Sequence, residues 1–156
     1  MQMYTSKNTS LNQIPALIKK ALPYMNGANF DNGAGKYQKA SEYLKDNGIE
    51  NVAYDKFNRS QEENEKALQH SKCHTSTIAN VLNVIDSIEA MKQVLALSKK
   101  MAEITFISVY EGDKSGKGRK TKDDCYQQNK RLKEYLPIVK QVFDKVTIKQ
   151  GMIIAQ

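Results

Sequence analysis

The stretch ANFDNGAG, residues 28–35, decides the fold when it is taken together with Asp55, about 20 residues further on. A short apolar run at 28–30 ends in Asp31-Asn32-Gly33-Ala34-Gly35. Tyr37, Ala40, Tyr43 and Leu44 then recur at helical spacing until Asn47-Gly48 supplies a stop. Strand, glycine turn, helix is the simplest parse. Glycines there let the backbone approach a ligand closely and expose the N–H groups that open the following helix. An acid at Asp55 falls where a nucleoside-binding sheet holds ribose hydroxyls. Either signal alone is weak, because a bland turn also uses glycine; the two at this separation point to a nucleotide-like ligand.

Outward from that stretch, short apolar runs alternate with amphipathic helical ones, the pattern of parallel strands joined by crossover helices. Residues 12–22 form a leading helix with Pro15 in its first turn and Ile14, Leu17, Ile18 and Leu22 on one face. A second strand is expected at 49–54. A capping box, Ser60-Gln61-Glu62-Glu63, starts a helix to about residue 70, and a third strand follows at 75–79. Residues 80–85 lead into a helix with Ile88, Met91, Val94, Leu95 and Met101 inward, and 103–110 is the clearest strand. A loop rich in Gly, Lys and Asp is expected over 111–122, then a helical region over 123–143 interrupted near Pro137. Two strands, Val146–Lys149 and Met152–Ala155, close the chain around Gln150-Gly151. The reading is α/β: residues 1–156 as a single domain, a mostly parallel sheet of about six strands with a C-terminal antiparallel hairpin.

The order of these motifs resembles the class I, Rossmann-like S-adenosylmethionine-dependent methyltransferases over residues 14–110. Residues 29–35 look like that family's glycine-rich first motif, Asp55 sits at its ribose-binding acid, and 79–86 and 103–110 are similar to its fourth and fifth motifs. The resemblance implies a three-layer Rossmann-like methyltransferase fold and S-adenosylmethionine as cofactor. Asp31, Gly33 and Gly35 would hold its amino-acid end, Asp55 the ribose, and Asn80 with Leu82 the adenine region. The chain departs from the pattern at Tyr37, where the family has a further glycine, and by one strand and one helix missing between Asp55 and Thr75.

Methyl transfer from a sulfonium is an in-line displacement, driven largely by positioning, so no strong base is obligatory. Where an acceptor proton must leave, Tyr110, Glu111 and Asp113 at the end of the fourth strand are the candidate catalytic groups. The expected activity is methyl transfer to an unidentified acceptor. Neither a Pro-Pro-Tyr after Asn80 nor a Pro-Cys nucleophile is present, which disfavours the usual DNA base chemistries. A nicotinamide dinucleotide is a further possibility, disfavoured by Gln38 at the third glycine position.

Charge narrows the partner. Of 156 residues, 24 are Lys or Arg and 17 Asp or Glu, a formal net charge of +7. Residues 112–133 hold eight of the basic and three of the acidic ones, so most of the excess is local. Lys114, Lys117, Arg119, Lys120 and Lys122 would contact RNA or another polyanion. A non-catalytic nucleic-acid-binding module on the same fold is the alternative reading, and a solvated loop the plain one. His70, Cys73 and His74 have helical metal-ligand spacing but lack a fourth ligand, so no metal is expected. No apolar run reaches the length of a membrane span, the N-terminal residues are polar, and two cysteines fit a reducing compartment, so a cytoplasmic protein without membrane association is expected.

Overall fold

The computed structural model describes residues 2–156. Its main sheet has six strands: β1 (Ala28–Asn32), β2 (Glu50–Tyr54), β3 (Cys73–Ala79), β4 (Ala102–Ser108), β7 (Val146–Lys149) and β8 (Met152–Ala155). They lie in the order β2-β1-β3-β4-β8-β7. The first four are parallel, and β8 runs antiparallel to both β4 and β7. One face carries α1 (Ala16–Ala21) and α2 (Lys39–Asp46), whose Leu17, Ala21, Ala40 and Leu44 are buried. The other carries α3 (Gln61–Leu68), α4 (Ile88–Met101) and α5 (Leu136–Val142). Phe30, Ile78, Leu95, Ile107 and Ile153 are fully enclosed on that side, each worth about 1.5–3 kcal/mol of burial. Right-handed crossovers force this division, because the chain steps from β1 to β2 in one direction and from β2 back to β3 in the other.

The local signals explain most element ends. Ser60 accepts from the Glu63 amide and the Glu63 carboxylate accepts from the Ser60 amide, closing the expected capping box on α3. Ser87 caps α4 in the same sense, its Oγ accepting from Ala90 N at 3.2 Å. Only α3 lies between β2 and β3, so the sheet is one strand narrower than the seven the resemblance would give.

Three expectations need correction. The region 123–143 is not one interrupted helix: Arg119–Lys122 (β5) and Cys125–Gln127 (β6) pair as a separate two-stranded ribbon, and the chain turns helical only at Leu132. Ile88, expected inward, is 64% exposed, because the inward face of α4 runs through Met91, Leu95 and Ser98. Strand β1 extends through Asp31 and Asn32, so the turn is confined to the residues after them. His70, Cys73 and His74 share no helix, since α3 ends at Leu68 and the other two lie in β3 with side chains on opposite faces. Among the described residues there is no cluster of three metal-ligating side chains and no helix long and apolar enough to cross a membrane.

Candidate functional site: a roofed cleft at the sheet's switch point

Strand order reverses between β1 and β3, and the crevice beyond their carboxyl ends is where open α/β sheets bind ligands. A cleft of about 460 Å³ lies there, within the roughly 300–1,000 Å³ of small-molecule sites. Its wall is made by the glycine turn, by Tyr54 at the end of β2 with Asp55, Phe57 and Asn58 after it, by Asn80 and Val81 after β3, and by Val94 and Leu97 of α4.

The glycine turn is held from three sides. Gly33 N and Ala34 N both donate to Tyr54 O, at 2.8 and 2.9 Å, and Gly35 N donates to Asp55 Oδ2 at 2.7 Å. The turn's own N–H groups are therefore spent on Tyr54 and Asp55. Both glycines need positive φ, +86° and +73°. A Cβ on Gly33 would stand 2.5 Å from Val81 Cγ2, and one on Gly35 would collide with Ser10 Oγ. Behind the turn, the nearly buried Arg59 donates from Nε to Gly35 O (2.8 Å) and from Nη2 to Tyr37 O (2.9 Å).

Asp55 is the hub of the opposite wall. Oδ1 accepts from Phe57 N, Asn58 N and Asn58 Nδ2 at 3.0 to 3.2 Å. Oδ2 accepts only from Gly35 N, which leaves one lone pair for a ligand hydroxyl. Asn64 fixes the same residue by its backbone, accepting from Asp55 N and donating to Asp55 O. Asn58 Oδ1 is buried with no donor. Burial, then the neighbouring Asp55 charge, pushes the Tyr54 phenol up, so it is a neutral donor at ordinary pH. Asn80 is held at φ +56° by its amide bond to Ser108 O, and its exposed side chain reaches the cleft.

The cleft is roofed by the polar N-terminal segment, of which Thr5, Ser6, Ser10 and Leu11 line it. Ser10 Oγ accepts from Lys36 N at 3.2 Å. Ser6 N donates to Asp124 O (2.8 Å), while Thr5 bonds the Asp124 carboxylate through its amide and hydroxyl. The ribbon that Asp124 belongs to rests in turn on the bend after β3, through Gln128 N to Asn83 O (2.8 Å) and Gln128 Nε2 to Ile85 O (2.6 Å).

Of the residues singled out from sequence, Gly33, Gly35, Asp55 and Asn80 meet at this cleft. Asp31 does not line it. Its side chain points to the other sheet face, accepting from Asn51 Nδ2 (3.0 Å) and Thr77 Oγ1 (3.4 Å), and burial raises its carboxyl above the ordinary range despite those bonds and nearby Arg59. Leu82 is fully buried in the core with Ile78 and Ile107. Tyr110, Glu111 and Asp113 also lie outside the wall. Glu111 accepts from Leu132 N (2.7 Å), Asp113 from Ser115 N (2.9 Å), and Tyr110 is exposed. These carboxylates organise their own loop. Asn58, Arg59, Asn64, Ser6 and Ser10 were missed, since no spacing rule marks a polar side chain that reaches back to a turn.

No protein-family model matches the chain, and no curated protein matches it. Among solved structures it is similar to the crystal structure of Burkholderia thailandensis 1,6-didemethyltoxoflavin-N1-methyltransferase with bound 1,6-didemethyltoxoflavin and S-adenosylhomocysteine. The TM-score is 0.68 at 15% identity, over 90% of this chain and 78% of that one. The chain therefore has the Rossmann-like methyltransferase fold, with a six-stranded sheet ending in the antiparallel hairpin.

Proposed function

We propose that the protein is an S-adenosylmethionine-dependent methyltransferase, with the cofactor in the roofed cleft. One observation carries the reading: Asp55, whose Oδ2 accepts only from Gly35 N among the described residues, lines the same cleft as the two glycines, at the switch point of a sheet with this fold. The fit is also chemical. Val81, Val84, Val94 and Leu97 offer an apolar wall for a flat ring, and Asn58 Oδ1 is a buried acceptor awaiting a donor. Helix α2 opens without a side-chain cap, and Lys39 and Ala40 of its first turn line the cleft, which suits a carboxylate.

When bound, the cofactor supplies a methyl group on a positive sulfur. The chain's part is to orient it: Asp55 accepts from one ribose hydroxyl, the glycine turn leaves room for the amino-acid end, and Asn80 presents its amide beside the apolar wall. None of the candidate bases at the end of β4 lines this wall, so the acceptor would lose its proton to solvent or after transfer, with positioning as the main source of rate.

Calorimetric titration with S-adenosylmethionine and S-adenosylhomocysteine tests the reading. Micromolar dissociation constants, about −8 kcal/mol, are expected. Absence of binding below about millimolar, or tighter binding of a nicotinamide dinucleotide, would remove it.

A further inference from the structure

We propose that the β5–β6 ribbon and the loop before it bind single-stranded nucleic acid and present an unpaired base at the cleft; the delivery step rests on the methyltransferase reading, the binding step does not. Every residue of β5 is exposed, and three of its four are Arg or Lys. The nearby acids neutralise them poorly. Asp124 is turned to Thr5, and the Arg119–Asp113 and Lys120–Asp123 pairs are wide, at 4.0 and 3.8 Å, and exposed. Lys114, Lys117 and Lys122 have no salt bridge among the described residues. A surface so charged, on a ribbon outside the main sheet, adds nothing to the core and matches a phosphate backbone.

Position gives the charge its meaning. Ser6, in the cleft wall, donates to Asp124 O and its hydroxyl accepts from Tyr126 N (3.3 Å), so the ribbon adjoins the roof of the cleft. Tyr110, 62% exposed where β4 enters the cationic loop, offers a stacking face to a base. The cleft is recessed beneath its roof, and a base inside a duplex cannot reach such a site, whereas an unpaired one can. This selects a single strand over a duplex.

The test measures fluorescence anisotropy of the full chain with a labelled RNA of about 20 nucleotides, the same sequence as single-stranded DNA, the DNA duplex, and heparin. Salt is varied from about 50 to about 200 mM. Single strands should bind tightest, weakening steeply with salt, and the better of RNA and DNA identifies the sugar. The combined variant Lys117→Ala, Lys120→Ala, Lys122→Ala removes three phosphate contacts. Its salt slope should fall by about 2 and its affinity roughly 100-fold at about 0.1 M salt, with an unchanged melting temperature. Salt-independent binding, no loss in the variant, or heparin or duplex binding as tightly as a single strand each overturns the proposal. S-adenosylhomocysteine titration of both proteins separates the two readings. Cofactor binding without strand binding sinks this inference alone, and strand binding without cofactor binding sinks the methyltransferase reading together with the delivery step, leaving the binding step standing.

Discussion

Replacing Gly33 by Ala asks whether the glycine turn is tight because of its backbone or because of what it touches. A Cβ at φ +86° costs about 1–2 kcal/mol in local sterics, offset by about 0.4–1 kcal/mol from a less flexible unfolded chain. The new methyl would also stand 2.5 Å from Val81 Cγ2, and overpacking of that kind costs about 1–3 kcal/mol. Val81 is β-branched and stiff, and it lines the cleft. Gly27 is the control: φ is +77°, and an added Cβ meets nothing within 4 Å. Urea unfolding should show Gly33→Ala costing about 1–3 kcal/mol more than Gly27→Ala, with S-adenosylhomocysteine affinity reduced only in the former. Adding Val81→Ala should recover most of that difference. Equal costs for the two glycine variants, with ligand affinity intact, would refute the claim that the turn is shaped by its neighbour.

Other expectations follow from the same contacts. Asp55→Asn keeps one acceptor but turns an amide toward one set of its donors, so it should destabilise by about 1.5–3 kcal/mol in chemical denaturation; a cost below about 0.5 kcal/mol would mean the carboxylate is not the hub of that wall. Arg59→Lys loses the fork that grips Gly35 O and Tyr37 O, and proteolysis should then cut first in residues 35–38; an unchanged cleavage pattern contradicts this. Burial, opposed by Asn51 and Arg59, raises the Asp31 carboxyl. A raised carboxyl binds its proton more firmly in the folded state, so the stability it contributes is present at low pH and is lost as pH rises from about 3.9 through the folded value. Asp31→Asn should flatten that part of the stability–pH curve; an unaltered profile speaks against the shift. Burial, then Glu50, pushes the Cys73 thiol up to about 11, and Cys125 is fully enclosed, so neither should be alkylated in the native protein at pH 8, as intact mass will report.

The sequence was most readable where local chemistry and tertiary contacts agree. Strands β2 to β4 announce themselves by β-branched and aromatic residues followed by polar ones, β1 by the glycine turn after it, and the final hairpin by Gln150-Gly151. The β5–β6 ribbon was illegible because RKTK carries no apolar alternation. Its pairing comes from a tight turn and from contacts to the chain's distant first residues. Asp31 was misread for a related reason: β1 is buried on both faces, so no polar–apolar alternation shows which side its carboxylate takes. Leu82 follows a cleft residue by two positions, but the 3-10 turn beginning there swings it into the core. What sequence could supply was the pair of glycines and the acid opposite; what it lacked was the second set of polar groups, Arg59, Asn64 and Ser10, recruited by the folded geometry.

Three segments far apart in the chain meet at the hydroxyl and amide of Ser6: the roof, the bend after β3 through Val84 O at 3.1 Å, and the ribbon. Such a knot makes the two halves of the molecule mutually informative. If an occupant of the cleft shifts it, affinity at the ribbon must change by the same factor by which an occupant of the ribbon changes affinity in the cleft, whichever arrives first.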